Sequence, residues 1–151
     1  MELNSLDSTR KLAEIISKNL ENNDFLLLKG TLGSGKTTFS KFLVRALQKK
    51  NKIKPEEVLS PTFNIVQYYD LGKNSKVAHY DFYRLKQKSD INYLGFFDTA
   101  KNFINIIEWP ELIIDSLPEY LQISFIYNVD KDIRSVKING KGKWFNFSIN
   151  E

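Results

Sequence analysis

At 151 residues, 42% hydrophobic and 26% charged, the chain has the size and balance of one globular domain, expected to span residues 1–151. It contains no cysteine, which excludes disulfides, thiolate metal sites and cysteine nucleophiles and suits a reducing cytoplasm. The net charge of +4 is mostly lysine, with four arginines (Arg10, Arg45, Arg84 and Arg134), and accompanies abundant Asn and Ile, so it reads as a compositional bias and not as a nucleic-acid surface.

The first residues lack an apolar signal core, and the longest apolar runs are too short to cross a bilayer, so a cytoplasmic protein without a membrane partner is expected. Ser8 or Asp7 is placed to cap a helix carrying Leu12, Ile15, Ile16 and Leu20 at helical spacing. Residues 25–28 form a short unbroken apolar run, the pattern of a strand buried on both faces. A glycine-rich loop follows, and residues 37–47 then read as a helix with Phe39, Phe42, Leu43, Ala46 and Leu47 on one face. The lysine run Lys49, Lys50, Lys52 and Lys54 reads as a solvated loop in preference to an RNA contact. Residues 58–62 form a loop around Pro61, and residues 63–69 and 77–83 read as a hairpin joined at Gly72-Lys73-Asn74-Ser75. A short helix is expected at 89–94, a buried strand at 103–107 and a helix at 111–117 ending at Pro118. Strands at 121–127, 133–138 and 144–149, separated by turns at 129–132 and 139–142, complete the chain. The fold class is α/β, with buried strands and helices in front and antiparallel strands behind.

Gly30-Thr31-Leu32-Gly33-Ser34-Gly35-Lys36-Thr37 matches G-x-x-x-x-G-K-[ST] in full, between an apolar strand and a helix. Glycines let backbone N–H groups converge on phosphate oxygens, and the helix N-terminus adds its partial positive charge. Lys36 supplies a full charge for the β- and γ-phosphates, and the Thr37 hydroxyl is placed to ligate magnesium. The base-selective N-K-x-D element of guanine binders is missing, because Asn51-Lys52-Ile53-Lys54 lacks the aspartate, so ATP is the expected nucleotide.

Hydrolysis also needs an acid opposite the loop, at the C-terminal end of a strand. Glu108 closes the run Phe103-Ile104-Asn105-Ile106-Ile107, and Asp81 closes Val77-Ala78-His79-Tyr80. Either acid could instead cap an element or pair with a lysine. Thr62, in Ser60-Pro61-Thr62-Phe63, is placed either to sense the γ-phosphate or only to fix a turn. His79, the only histidine, reads as a packed or hydrogen-bonded strand residue.

The loop with Thr38, then Ser60-Pro61-Thr62-Phe63, His79-Tyr80-Asp81-Phe82-Tyr83-Arg84-Leu85, Leu94-Gly95 and Glu108-Trp109-Pro110, resembles in order and separation the TsaE (YjeE) family. These are ATPases of bacterial tRNA threonylcarbamoyladenosine biosynthesis, and the resemblance covers residues near 5 to 118. It implies a P-loop NTPase fold with a mixed central sheet, and ATP or ADP with Mg2+ as cofactors. It also implies two partner proteins, the transferase subunit and its paralogous partner, which modify the adenosine beside the anticodon of tRNA, with tRNA engaged only indirectly. By motif position Gly30, Leu32, Gly33, Ser34, Gly35, Lys36, Thr37 and Thr38 would bind nucleotide, and Thr37 and Glu108 would hold magnesium. Asp81 would support hydrolysis, Thr62 would belong to a nucleotide-sensing loop, and hydrolysis would reset or release the partner complex. Only Arg84 stands near a motif acid as a finger, so turnover is expected to be weak alone and stimulated by the partners. The rival readings are a small-molecule kinase, which would need an arginine-rich lid, and an ATP-bound scaffold that does not turn over.

Overall fold

The computed structural model describes residues 1–149, so the last two residues of the expected 1–151 span lie outside the described residues. Helix α1 (Leu6–Asn19) begins one turn earlier than its apolar stripe implied. Its cap is Ser5, not Ser8 or Asp7: Ser8 N donates to Ser5 Oγ and Ser5 N to Ser8 Oγ, each at 3.1 Å. Leu12, Ala13, Ile16 and Leu20 are buried, and α1 packs along α2 (Lys36–Lys50).

Six strands form one mixed sheet in the order β2-β3-β4-β1-β5-β6. Its interior, β3 (Ser75–Asp81), β4 (Phe103–Glu108), β1 (Phe25–Lys29) and β5 (Tyr120–Asn128), is parallel. The edge strands β2 (Val66–Gly72) and β6 (Ile133–Lys141) are antiparallel to their neighbours. Helices on one side and short elements on the other cover the interior strands, which is why β1 and β4 read as nearly unbroken apolar runs. Alternate residues serve two cores: Leu26, Leu28, Ile104, Ile106 and Ile123 meet α1 and α2, while Leu27, Ile107 and Tyr80 meet Phe82, Ile91 and Phe96. Helix α3 (Lys88–Tyr93) lies where expected, and α4 (Phe96–Thr99) is an addition that brings Phe96 into the second core.

Five expectations are corrected. Strand β2 starts at Val66 and not at residue 63, because Ile65 adopts a left-handed φ of 67° in the turn before it. Strand β3 spans Ser75–Asp81 and stops short of residue 83. The expected helix at 111–117 is two 3-10 turns, Pro110–Leu112 and Ile114–Ser116, drawn in on either side of fully buried Ile113. Residues 144–149 form no strand. Strand β6 runs on through the expected turn at 139–142 to Lys141, and the chain then folds back through a 3-10 turn (Gly142–Trp144), burying Trp144 beside Phe147.

The fold-back requires a glycine. A Cβ on Gly140 would lie 1.9 Å from Trp144 O and 2.6 Å from Trp144 Cβ, and main chain cannot yield as a flexible side chain can. Gly140→Ala is therefore expected to cost about 2–3 kcal/mol. Calorimetry should show this as a fall of roughly 4–12 °C in the thermal midpoint; an unchanged midpoint would contradict the close approach.

The lysine run is partly accounted for. Lys50 Nζ donates to the carbonyls of Ser17, Lys18 and Leu20 at the end of α1, while Lys49, Lys52 and Lys54 are exposed. Lys49 and Lys50 belong to the last turn of α2 and not to a loop, and Lys52 and Lys54 follow it, at the end opposite the glycine loop. Among the described residues no helix is long and apolar enough to cross a membrane.

Candidate functional site

The site lies beyond the C-terminal ends of β1, β3 and β4, where parallel sheets present their loops. Strand β1 feeds the glycine loop, which closes on itself through Ser34 N donating to Thr31 O at 3.2 Å. Gly30 has a φ of 148°, and a Cβ there would meet Ser34 Oγ at 2.5 Å and Phe125 O at 2.8 Å, so only glycine lets β1 turn into the loop. Helix α2 opens at Gly35 without a side-chain cap, which leaves its first N–H groups facing the loop. Ser34 Oγ is buried and has no hydrogen-bond partner, a polar group matched to a phosphate oxygen.

Lys36 is only 5% exposed; its Nζ donates to Gly30 O at 2.6 Å and Thr31 O at 2.9 Å, and lies 4.4 Å from the centroid of the Trp109 ring. Burial pushes the Lys36 ammonium below the usual lysine range, while the charges of Glu108, Asp81 and Glu111 pull it back up. Trp109 holds a left-handed conformation (φ 59°, ψ 62°), unusual for a bulky residue and the kind of strain found at functional sites. Its ring also packs on Tyr83, at 4.8 Å between centroids.

Thr37 Oγ1 donates to Glu108 Oε1 at 2.9 Å. The β3–β4 register sets Asp81 beside Glu108, and both are buried on the α2 side of the sheet. Asp81 is held by two donors, Thr62 Oγ1 at 3.0 Å on Oδ2 and Tyr83 N at 2.9 Å on Oδ1. Ser60 and Thr62 hydroxyls are 2.9 Å apart, so the Pro61 loop is tied to the end of β3. A cavity of about 170 Å³ brings together Lys36, Thr37, Thr38, Thr62, Asp81 and Glu108 along the loop. Leu32 also lines it, although the residue is 68% exposed. Of the remaining residues expected to bind nucleotide, Gly33 and Gly35 line the same cavity, Ser34 lines only the larger cavity described below, and Gly30 lines neither.

Arg84 does not line this cavity; its guanidinium lies 5.1 Å from the ring centroid of exposed Phe63. Replacing it with alanine is therefore expected to change the turnover of the chain alone by less than about twofold in a phosphate-release assay. A loss of an order of magnitude would show that Arg84 reaches the phosphates.

A second cavity, about 450 Å³, lies on the other side of the loop; it shares Gly33, Gly35 and Thr38 with the first and is also lined by Ser34. Leu3, Asn4, Thr9, Phe125 and Arg134 contribute to its wall, and its volume is within the usual range for a small-molecule site. No sequence motif marks these residues. They come from the N-terminal segment, α1, β5 and β6, which only the tertiary fold brings together.

The donors fit magnesium: one hydroxyl and one carboxylate, with a second carboxylate beside them, are the hard oxygen ligands that ion takes. Among the described residues no cluster of three or more His, Cys, Asp or Glu side chains is placed to hold a metal unaided. An ion here would thus rely on phosphate oxygens and water for its remaining ligands, as Mg2+ does at nucleotide sites.

A buried parallel strand, a complete glycine loop, an uncapped helix and two acids on adjacent strand ends define a P-loop nucleotide-binding domain of the α/β class. The chain belongs to the TsaE family: residues 3–136 match the family described as threonylcarbamoyl adenosine biosynthesis protein TsaE. It is 40% identical over 111 residues to the Rickettsia conorii "tRNA threonylcarbamoyladenosine biosynthesis protein TsaE", a match covering 74% of this chain and 61% of that protein. The Rickettsia prowazekii protein of the same name is 34% identical over 146 residues, covering 96% of this chain and 97% of its own length. The crystal structure of Bacillus subtilus YdiB superposes with a TM-score of 0.71 at 26% identity, covering 96% of this chain and 86% of that one.

Proposed function

We propose that the chain is the ATP-hydrolysing subunit of the machinery that installs threonylcarbamoyl on the adenosine beside the anticodon of tRNA. The observation that carries this reading is the 2.9 Å contact between Thr37 Oγ1 and Glu108 Oε1 at the mouth of a complete phosphate loop, in a chain of the TsaE family. ATP lies with its phosphates along Gly30–Thr38 and its nucleoside toward the larger cavity. Lys36 turns its ammonium to the β- and γ-phosphates and so recovers the interaction that burial costs it. Thr37 and Glu108 would hold Mg2+, which when bound would supply neutralisation of the charge developing on the phosphates. Asp81, fixed by Thr62 and Tyr83, orients the attacking water. Water oxygen bonds to the γ-phosphorus, the bond to the ADP oxygen breaks, and ADP and phosphate leave.

The Pro61 loop, through Thr62, reports which nucleotide is present, and hydrolysis resets or releases the two partner proteins without driving the transfer chemistry. The test is depletion of the protein in cells followed by nucleoside analysis of bulk tRNA. A fall in threonylcarbamoyladenosine is expected, and an unchanged level would refute the assignment to this pathway.

A further inference from the structure

Glu108 is 1% exposed and uses both carboxylate oxygens: Oε1 meets Thr37, and Oε2 lies 3.1 Å from Nε2 of fully buried His79. His79 stands two residues before Asp81 on β3, hence on the same sheet face, and its register partner on β4 is Ile106, two residues before Glu108. A carboxylate only accepts, so the hydrogen of this contact sits on His79 Nε2. The other ring nitrogen, Nδ1, is buried without a hydrogen-bond partner, which is the lesser cost when it is the bare nitrogen of that tautomer. The ring therefore gives Glu108 one fixed donor at a position set by strand pairing, not by a mobile side chain. Carboxylates that ligate metals depend on such partners to hold their orientation.

We propose that His79 is a positioning residue that locks Glu108 with Oε1 toward the phosphate loop and thereby sets the affinity for the divalent cation bound with nucleotide. This rests on the reading of Thr37 and Glu108 as the Mg2+ oxygens. The competing explanation is that His79 only fills space in the core. Volume alone would then suffice, and a methionine would serve as well as a donor.

The test compares His79→Gln, whose amide offers an N–H in place of Nε2, with His79→Met, of similar size but without a donor. ADP binding is titrated in chelator and then with increasing Mg2+. His79→Met is expected to raise the Mg2+ concentration needed to tighten ADP binding by roughly 10–100-fold, with His79→Gln within about threefold of the parent and chelator-measured binding the same in all three. A Met variant that responds like the parent, or a Gln variant shifted as far as Met, overturns the proposal. If Mg2+ does not tighten binding even in the parent, the metal reading itself has failed, and the proposal with it.

The chain has one histidine, so 15N NMR of the unmodified protein gives an independent answer that needs no variant to fold. The Nε2–H tautomer is expected, with ring resonances that move when Mg2+ is added to the ADP complex and not when ADP is added in chelator. An Nδ1–H tautomer, or resonances indifferent to Mg2+, overturns it.

Discussion

Lys36→Met is expected to weaken ATP binding by about 3 kcal/mol, roughly a hundredfold in Kd by calorimetry, because a charge-assisted contact to phosphate is lost. Methionine keeps an unbranched stem and removes the ammonium, together with its contact with the Trp109 ring. The same change should not destabilise the protein measured without nucleotide. Burial lowers the affinity of the Lys36 amine for its proton, so in the folded chain the charged form is disfavoured. The sign of the linkage follows. Where the unfolded lysine is protonated and the folded one is not, the unfolded state binds more protons, and stability rises with pH. Lys36→Met should remove that alkaline rise in the thermal midpoint. A variant that binds ATP as tightly as the parent would show that Lys36 does not reach the phosphates.

Glu108→Gln should have the larger effect on turnover. The amide keeps the shape of the side chain and can still bond Thr37 and His79, but it removes the charge. ATP hydrolysis is expected to fall by two to three orders of magnitude, about the loss from removing one preorganised charge-stabilising group. Nucleotide binding in chelator should survive. Wild-type turnover in Glu108→Gln would remove this carboxylate from the chemistry and leave Asp81 as the sole acid.

Much of this site was legible because its chemistry is local in sequence. The loop from Gly30 to Thr37 carries its geometry in adjacent residues, and Asp81 and Glu108 each announce themselves by closing an apolar run. What was not legible depends on which strands lie side by side. The partnership of Thr37 with Glu108 spans 71 positions and requires β4 to lie next to β1. His79 could have been placed on the face of Asp81 by strand parity alone, but its bond to Glu108 needs the β3–β4 register. The wall of the larger cavity left no trace, since Leu3, Asn4, Thr9 and Arg134 are ordinary residues from distant segments.

The fold errors share a physical cause. Trp144, Phe147 and Ile149 look like a strand by composition, yet their apolar groups are used to close the first core after a tight fold-back at Gly140. Residues 63–65 have strand-like composition too, but Ile65 turns the chain so that Asp81 N can donate to its carbonyl at 2.8 Å. In both places tertiary contacts decided what local preference could not.

ATP turnover by the purified chain, measured alone and then with the transferase subunit and its paralogous partner, tests the account most directly. Slow hydrolysis alone and a rise of roughly three to five orders of magnitude with the partners are expected if they complete the charge stabilisation in trans. Equal turnover with and without them would contradict the account.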